Sequence, residues 1–485
     1  MRGRLAAMSA ATATVLTLGL SVLSAAPAGA APAPQLTRYP YLTDVVSAGS
    51  TDNATINFAT DTTVTAAFAR IGPAGGTCTG TNRTGSKLGI TVNGKSENQW
   101  KVKFTGLTPG TQYCYRVFAG SPTAPGADLL GSDPSPVFTA PGSGSFSFAV
   151  LGDWGFVGSS GSNPDQANLD ARIAASGALF AVGTGDTAYP GGSQTNYGDL
   201  QQTGLNISTV FGPSYYANIG KSIPMFNSLG NHGVSATFLN TWPQPTAPGL
   251  SGGRYQIDAY PSINGSNPAN YPSAWYAFNV GRARIYILDA TWSNSNVGTG
   301  NIYSNDYAAH WTTSSPQYQW LASDLAAHSG GLKIAVLHLP MYADNPTEHS
   351  DTYLHSGGTS MTDAPGSLAT LLSDNGVQLV LNGHMHGYER NTKVAGESFV
   401  SYVTGGGGAT LEPVGTGAAG CGSYDAYAVG WSPTKQKGYA CGAALPPTSA
   451  SQVYHFLKVT VGSSSVTVTP TDSLGNTFDI QIYNF

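Results

Sequence analysis

Residues 146–153, Phe-Ser-Phe-Ala-Val-Leu-Gly-Asp, decide how this chain is read. An apolar run, Phe146–Leu151, stops at a glycine and an acid, Gly152-Asp153. The same grammar returns four times. Ala178–Val182 leads to Gly185-Asp186-Thr187-Ala188-Tyr189, Ile223–Leu229 to Gly230-Asn231-His232, Leu332–Leu337 to His338, and Val377–Leu381 to Gly383-His384-Met385-His386. Runs of this length bounded by glycine predict buried strands. Helical spacing in Leu169–Ser176, Tyr318–His328 and Leu368–Asn375 falls between them, and strands alternating with helices predict an α/β domain. Such sheets place their sites beyond the carboxyl ends of strands, where every one of these polar blocks lies. Ala283–Leu288 predicts a further strand with no matching block.

Taken singly, each block reads as a strand-end turn or a satisfied core polar group. Together they offer two carboxylates (Asp153, Asp186), a phenol (Tyr189), an amide (Asn231) and three imidazoles (His338, His384, His386). That set suits two adjacent metal ions, with an aspartate as the short bridge and nitrogen donors for a borderline divalent ion. A hydrolase of phosphate esters is the leading expectation.

Outward from this region, residues 38–140 predict a small all-β domain. Asn53–Ala59 alternates apolar and polar residues, the pattern of a half-buried strand, and Thr65–Arg70 and Trp100–Phe104 predict two more. Leu107-Thr108-Pro109-Gly110-Thr111-Gln112-Tyr113 is similar to a fibronectin type III corner, where a tyrosine caps the sandwich through a backbone hydrogen bond. Pro141–Ser145 reads as a linker, and 145–485 as one catalytic domain. Gly405–Gly408 and the stretch to Pro447 read as loop. Val453–Val461, Ser465–Pro470 and Phe478–Tyr483 predict strands that complete a catalytic sheet.

Composition narrows the setting. Of 485 residues only 10% are charged, against roughly 25% in an average soluble protein, and the net charge is −5. This excludes the basic footprint of a nucleic-acid binder and a polybasic membrane anchor. Residues 1–30 read as a signal peptide: Arg2 and Arg4, a short apolar core from Val15 to Leu23, then Ala28-Gly29-Ala30. No later segment is apolar for long enough to span a bilayer, so a secreted protein without a membrane anchor is expected. Four cysteines allow three pairings; Cys78–Cys114 and Cys421–Cys441 each stay within one expected domain.

The five blocks resemble the metallophosphoesterase family and, within it, the purple acid phosphatase branch. The last block, Gly383-His384-Met385-His386-Gly387-Tyr388-Glu389-Arg390, is close to that branch's form, and a fibronectin-like domain precedes the catalytic one in its larger members. The resemblance runs from about Arg38 onward but is dense only at the blocks. It implies a two-sheet β-sandwich flanked by helices. It also implies one metal held by Asp153, Asp186, Tyr189 and His386, and a second by Asp186, Asn231, His338 and His384. The Asp-x-x-Tyr spacing implies iron(III) beside a zinc, manganese or iron(II) ion, because a phenol ionises only next to a strong Lewis acid. With Tyr189 merely packed, both metals would be divalent.

Asn231 and His232 would meet a small phosphate-ester substrate. His232 would either pass a proton to the leaving group or orient the site by hydrogen bonding. His349 is either a substrate contact or a surface residue. One departure is Gly233, which stands where the family commonly has an acid. The implied reaction is monoester hydrolysis by hydroxide formed from water at the metals. A phosphodiesterase on the same scaffold, and a surface-binding protein with a relic metal domain, are the alternatives. Oligomeric state is not legible.

Overall fold

The computed structural model describes residues 34–92, 95–156, 163–187, 189, 215–232, 251–256, 270–290, 307, 310–344, 350–358, 361–416 and 420–485. The expected signal peptide and His349 lie outside them.

The first part is a β-sandwich. One sheet runs Leu36–Ala48, Thr51–Asp61, Lys95–Leu107, Ser86–Val92, and the other runs Thr81–Thr84, Ala67–Pro73, Gln112–Ser121, Ala124–Asp128, with Val137–Thr139 beside Gln112–Ser121. Ile56, Phe58, Trp100 and Val102 from the first sheet meet Ala69, Ile71, Tyr115 and Val117 from the second in one apolar core. The corner reading holds: the amide of Thr108 donates to Tyr113 Oη at 2.9 Å. Cys78 is bonded to Cys114 and Cys421 to Cys441.

The expectation of a half-buried strand at Asn53–Ala59 is corrected. Thr51–Asp61 is buried on both faces over all but its end residues. Its polar side is internally paired, with Thr55 Oγ1 donating to Asp44 Oδ2 at 2.8 Å and Asn57 Nδ2 to Thr43 Oγ1 at 3.0 Å. The neighbouring strand Leu36–Ala48 packs on Asn270–Val280 of the catalytic sheet. Period-2 alternation separates an apolar face from a polar one; here the polar face is covered by a second domain.

The second part is a two-sheet sandwich of α/β type. A six-stranded sheet runs Met225–Asn227, Ala181–Gly183, Phe146–Leu151, His455–Val461, Ser465–Asp472, Gln481–Asn484. A nine-stranded sheet contains Ala283–Ile287, Leu332–Val336 and Leu379–Asn382 side by side. Phe148, Val150, Phe226, Ile285, Ile334 and Leu381 lie in the core between the sheets. Helices Pro316–Ala327, Ser350–Ser356 and Leu368–Asp374 pack on the outer face of the nine-stranded sheet through Leu321, Leu354 and Leu372. The C-terminal strands complete the smaller sheet, with His455–Val461 antiparallel to Phe146–Leu151.

Helix starts lie earlier than apolar spacing alone indicates. Pro164–Ala175 begins at proline, with Asn163 Oδ1 accepting from the amide of Gln166 at 3.1 Å. Pro316–Ala327 likewise follows Ser315, whose side chain caps Tyr318 N. Proline at the first helical position and a short polar cap before it are start signals independent of apolar period. The stretch read as loop up to Pro447 contains a hairpin, Asp425–Ser432 with Lys437–Gly442, that extends the large sheet.

Candidate metal centre

In both sheets the strands nearest the site run parallel: Phe146–Leu151 with Ala181–Gly183 and Met225–Asn227, and Ala283–Ile287 with Leu332–Val336 and Leu379–Asn382. Parallel strands deliver their carboxyl ends to one rim. Asp153, Asp186, Asn231, His338 and His384 each follow such a strand, and they meet there. Three of the five strain the chain: Asp153, Asp186 and His384 have φ of 56°, 47° and 72°. A left-handed backbone at non-glycine residues costs on the order of 1–3 kcal/mol each and gathers at functional sites. Gly185 and Gly230 leave the necessary space. A Cβ on Gly185 would strike the His338 ring, and one on Gly230 would strike Asp186.

Asp153, Asp186, Tyr189 and His386 surround one point. Tyr189 Oη lies 3.1 Å from Asp153 Oδ1, 2.9 Å from Asp186 Oδ2 and 3.0 Å from His386 Nε2. His386 Nε2 is 3.4 Å from Asp153 Oδ1. The phenol has one proton for these neighbours. Burial, then the charges of Asp186 and Asp153, push its pKa far up in the metal-free chain. Only a cation in that cluster would reverse the sign of the local field. Burial works against charge on His386, but its hydrogen bond to Asp153 and the charges of Asp153 and Glu412 raise it to about 9.

Asp186, Asn231 and His338 surround a second point. His338 is fully buried, and burial lowers its pKa against the opposing pull of the Asp186 and Asp153 charges. Its Nδ1 donates to the Thr184 carbonyl at 2.9 Å, so in the neutral ring the lone pair lies on Nε2. That lone pair faces Asn231 Oδ1 at 2.8 Å and Asp186 Oδ1 at 3.5 Å. Three acceptors turned on one another are unfavourable unless a cation sits among them. Ligand atoms of Asp153, Asp186 and His338 all lie within 4.8 Å of one another. Burial opposes ionisation of Asp186, but the charges of His338 and His232 and the His232 amide keep its pKa below the ordinary value. His384 donates its amide to Asp153 Oδ2 at 2.8 Å, and its ring centre is 4.9 Å from that of His338.

His232 donates its amide to Asp186 Oδ1 at 2.7 Å, and its ring lies 4.6 Å from the Tyr189 ring. It is half-buried, at the edge of the cluster. Two partners were not read from sequence. Thr410 O accepts from His386 Nδ1 at 2.7 Å, and Glu412 Oε2 accepts from His386 N at 3.1 Å. Carbonyls on the Nδ1 atoms of His338 and His386 fix both tautomers with Nε2 inward, the usual arrangement behind a metal-ligating imidazole. The available signal was the run Gly405–Gly408 just upstream, since a Cβ on Gly405 would meet Met385 O and Asp153 Oδ2. The donor set therefore fits bound metal.

Two stacked sheets with oxygen and nitrogen donors gathered on one rim define a phosphoesterase architecture. The chain belongs to the calcineurin-like phosphoesterase family, whose profile matches residues 146–388. Residues 43–139 match the purple acid phosphatase N-terminal domain. Among curated relatives, the probable purple acid phosphatase 20 of Arabidopsis thaliana is 23% identical over 258 residues, 49% of this chain and 53% of that one. Purple acid phosphatase 15 of the same plant is 23% identical over 309 residues, 60% of this chain and 49% of that one. The matches thus span about half the length of these relatives. Among solved structures, purple acid phosphatase PPD1 from yellow lupin seeds shares the fold, with a TM-score of 0.59 at 17% identity, covering 93% of this chain and 74% of that one.

Proposed function

We propose that this chain is an exported binuclear-metal phosphatase that hydrolyses small phosphate monoesters. The observation that carries the reading is the cluster of oxygen and nitrogen atoms of metal-ligand type around Asp186. His338 Nε2, Asn231 Oδ1 and Asp186 Oδ1 meet on one side of it, and Tyr189, Asp153 and His386 on the other. Asp153, Asp186, Tyr189 and His386 would hold iron(III), and Asp186, Asn231, His338 and His384 a zinc, manganese or iron(II) ion. When bound, such a pair supplies positive charge to the phosphate oxygens and acidifies water at neutral pH.

The chain's own groups do the rest. The Thr184 and Thr410 carbonyls hold the two imidazoles in one tautomer. The His232 amide donates to Asp186, and its ring, beside that of Tyr189, would give a proton to the departing oxygen. The proposal includes a removable leader at 1–30, a fibronectin-like domain at 38–140 and a catalytic domain at 145–485. The two profile matches support that division, and the two disulfides support export to an oxidising compartment. Among the described residues no helix is long and apolar enough to cross a membrane.

The test is metal content, visible spectrum and hydrolysis of an aryl phosphate beside its bis-aryl diester, all on one preparation. Two metals per catalytic centre with preference for the monoester support the reading. Preference for the diester would move it to a phosphodiesterase, and protein that binds no metal under loading would leave a relic domain.

A further inference from the structure

Another group of side chains of metal-ligand type lies against the segment that follows His338. His355, on the helix Ser350–Ser356, is fully buried. Its Nε2 meets the Met341 carbonyl at 3.0 Å, an atom that can only accept, so Nε2 carries hydrogen. Its Nδ1 faces Asp363 Oδ1 in a short contact and Glu397 Oε1 at 3.6 Å. Glu397 is only 5% exposed. Its Oε1 accepts from Tyr342 Oη at 2.7 Å, while its buried Oε2 has no hydrogen-bond partner. One ligand atom from each of His355, Asp363 and Glu397 lies within 4.8 Å of the other two.

We propose that His355, Asp363 and Glu397 form a mononuclear site for a zinc-class divalent cation, separate from the centre around Asp186.

Three observations point the same way. The imidazole already has the second contact expected of a metal ligand, because the Met341 carbonyl holds the proton on Nε2 and leaves Nδ1 for the cation. Two carboxylates converge on Nδ1, and a buried oxygen of one of them, Glu397 Oε2, has no hydrogen-bond partner. A divalent ion among Nδ1 and the two carboxylates would give Glu397 Oε2 a partner. One imidazole and two carboxylates with an open position suit zinc; calcium calls for six to eight oxygens. Asp363, with a third of its side chain exposed, opens the site to solvent.

The consequence is positional. Met341 and Tyr342 follow directly on the His338 block, and both are tied to this cluster through the Met341 carbonyl and the Tyr342 hydroxyl. A bound ion would brace the chain leading away from the phosphoesterase centre without touching substrate.

Full-length protein loaded with zinc, dialysed against micromolar zinc and counted by plasma mass spectrometry tests this. The parent should carry one zinc per chain more than Glu397→Gln and more than Asp363→Asn. The second variant changes a partly exposed residue and keeps its shape, so it decides the matter if Glu397→Gln fails to fold. In an Asp186→Asn background the same difference of one should persist, which separates this site from the other. Equal zinc counts in the parent and Asp363→Asn would overturn the proposal and leave a hydrogen-bonded cluster of one imidazole and two carboxyl groups.

Discussion

Tyr189 Oη and Asp186 Oδ2 stand 2.9 Å apart, within hydrogen-bond distance. Both belong to one short loop after the strand Ala181–Gly183, so their contact is set locally and then offered to His386, a residue from the far sheet. Asp186 also takes the His232 amide and faces His338. It is thereby contacted from both sides of the cluster. Asp186→Asn preserves the shape and removes the charge between two expected cations, whose mutual repulsion rises steeply in a buried site. The variant should lose at least one metal equivalent and several orders of magnitude in turnover. His232→Ala should keep both metals and lose roughly 10²–10⁴-fold, the size of a general-acid contribution. Metal stoichiometry and turnover of the two variants beside the parent check this. An Asp186→Asn protein with two metals and near-parental turnover would falsify the bridging role.

Tyr189→Phe should abolish any visible absorption band of the metal-loaded protein while leaving the fold in place. The phenol is buried and held protonated by two carboxylates in the metal-free chain, so its ionisation reports a strong Lewis acid at Asp153 and Asp186. The ring itself packs edge-on to Phe156, with centroids 5.9 Å apart, and phenylalanine keeps that contact. A colourless, iron-free parent after aerobic purification would reject iron(III) and leave two divalent ions.

Glu412→Ala should weaken retention of the metal near His386 by roughly 10–100-fold, the usual cost of losing a group that orients a ligating imidazole. Glu412 and His386 exchange two hydrogen bonds: His386 N donates to Glu412 Oε2 at 3.1 Å, and Glu412 N donates to His386 O at 3.0 Å. Only the first is lost in the variant. Titration with a chelator, read as metal remaining, is the measurement. Glu412→Gln, which keeps an acceptor, should fall between. Identical chelator curves for all three proteins would sink the assignment.

Glu412 also shows where sequence reading stops. Asp153, Asp186, Asn231, His338 and His384 were legible because each ends an apolar run, and buried parallel strands are short, continuous and apolar. Thr410 contributes only a carbonyl, which no side-chain pattern encodes. The hairpin Asp425–Ser432 with Lys437–Gly442 was hidden among glycines and prolines, though Tyr427, Val429 and Trp431 alternate within it. Asn53–Ala59 was read correctly as a strand, but no local pattern tells which neighbouring domain covers its polar side. His355 stands alone in sequence, and only the fold brings Asp363 and Glu397 to it.

That hairpin carries the last prediction. Asp425 lies against Asp344, whose Oδ1 accepts from Gly422 N at 2.8 Å and whose amide donates to Glu389 Oε1 at 2.9 Å. Burial first, then the hydrogen bond to Asp344 and its charge, raises the pKa of Asp425 well above an ordinary aspartate. Burial and the Asp344 charge raise that of Glu389 as well. The folded chain therefore binds more protons here than the unfolded chain at any pH between the unfolded pKa, ~3.9 for aspartate, and the raised folded values. Stability from this cluster is complete below that lower limit and is lost as pH rises through the folded pKa. Asp425→Asn removes one of the acids and keeps its outline. Between pH 5 and pH 9 the thermal midpoint of the parent should fall further than that of Asp425→Asn, measured at one scan rate with metal held constant. Equal falls in the two proteins would show that this carboxyl cluster does not govern the alkaline limb.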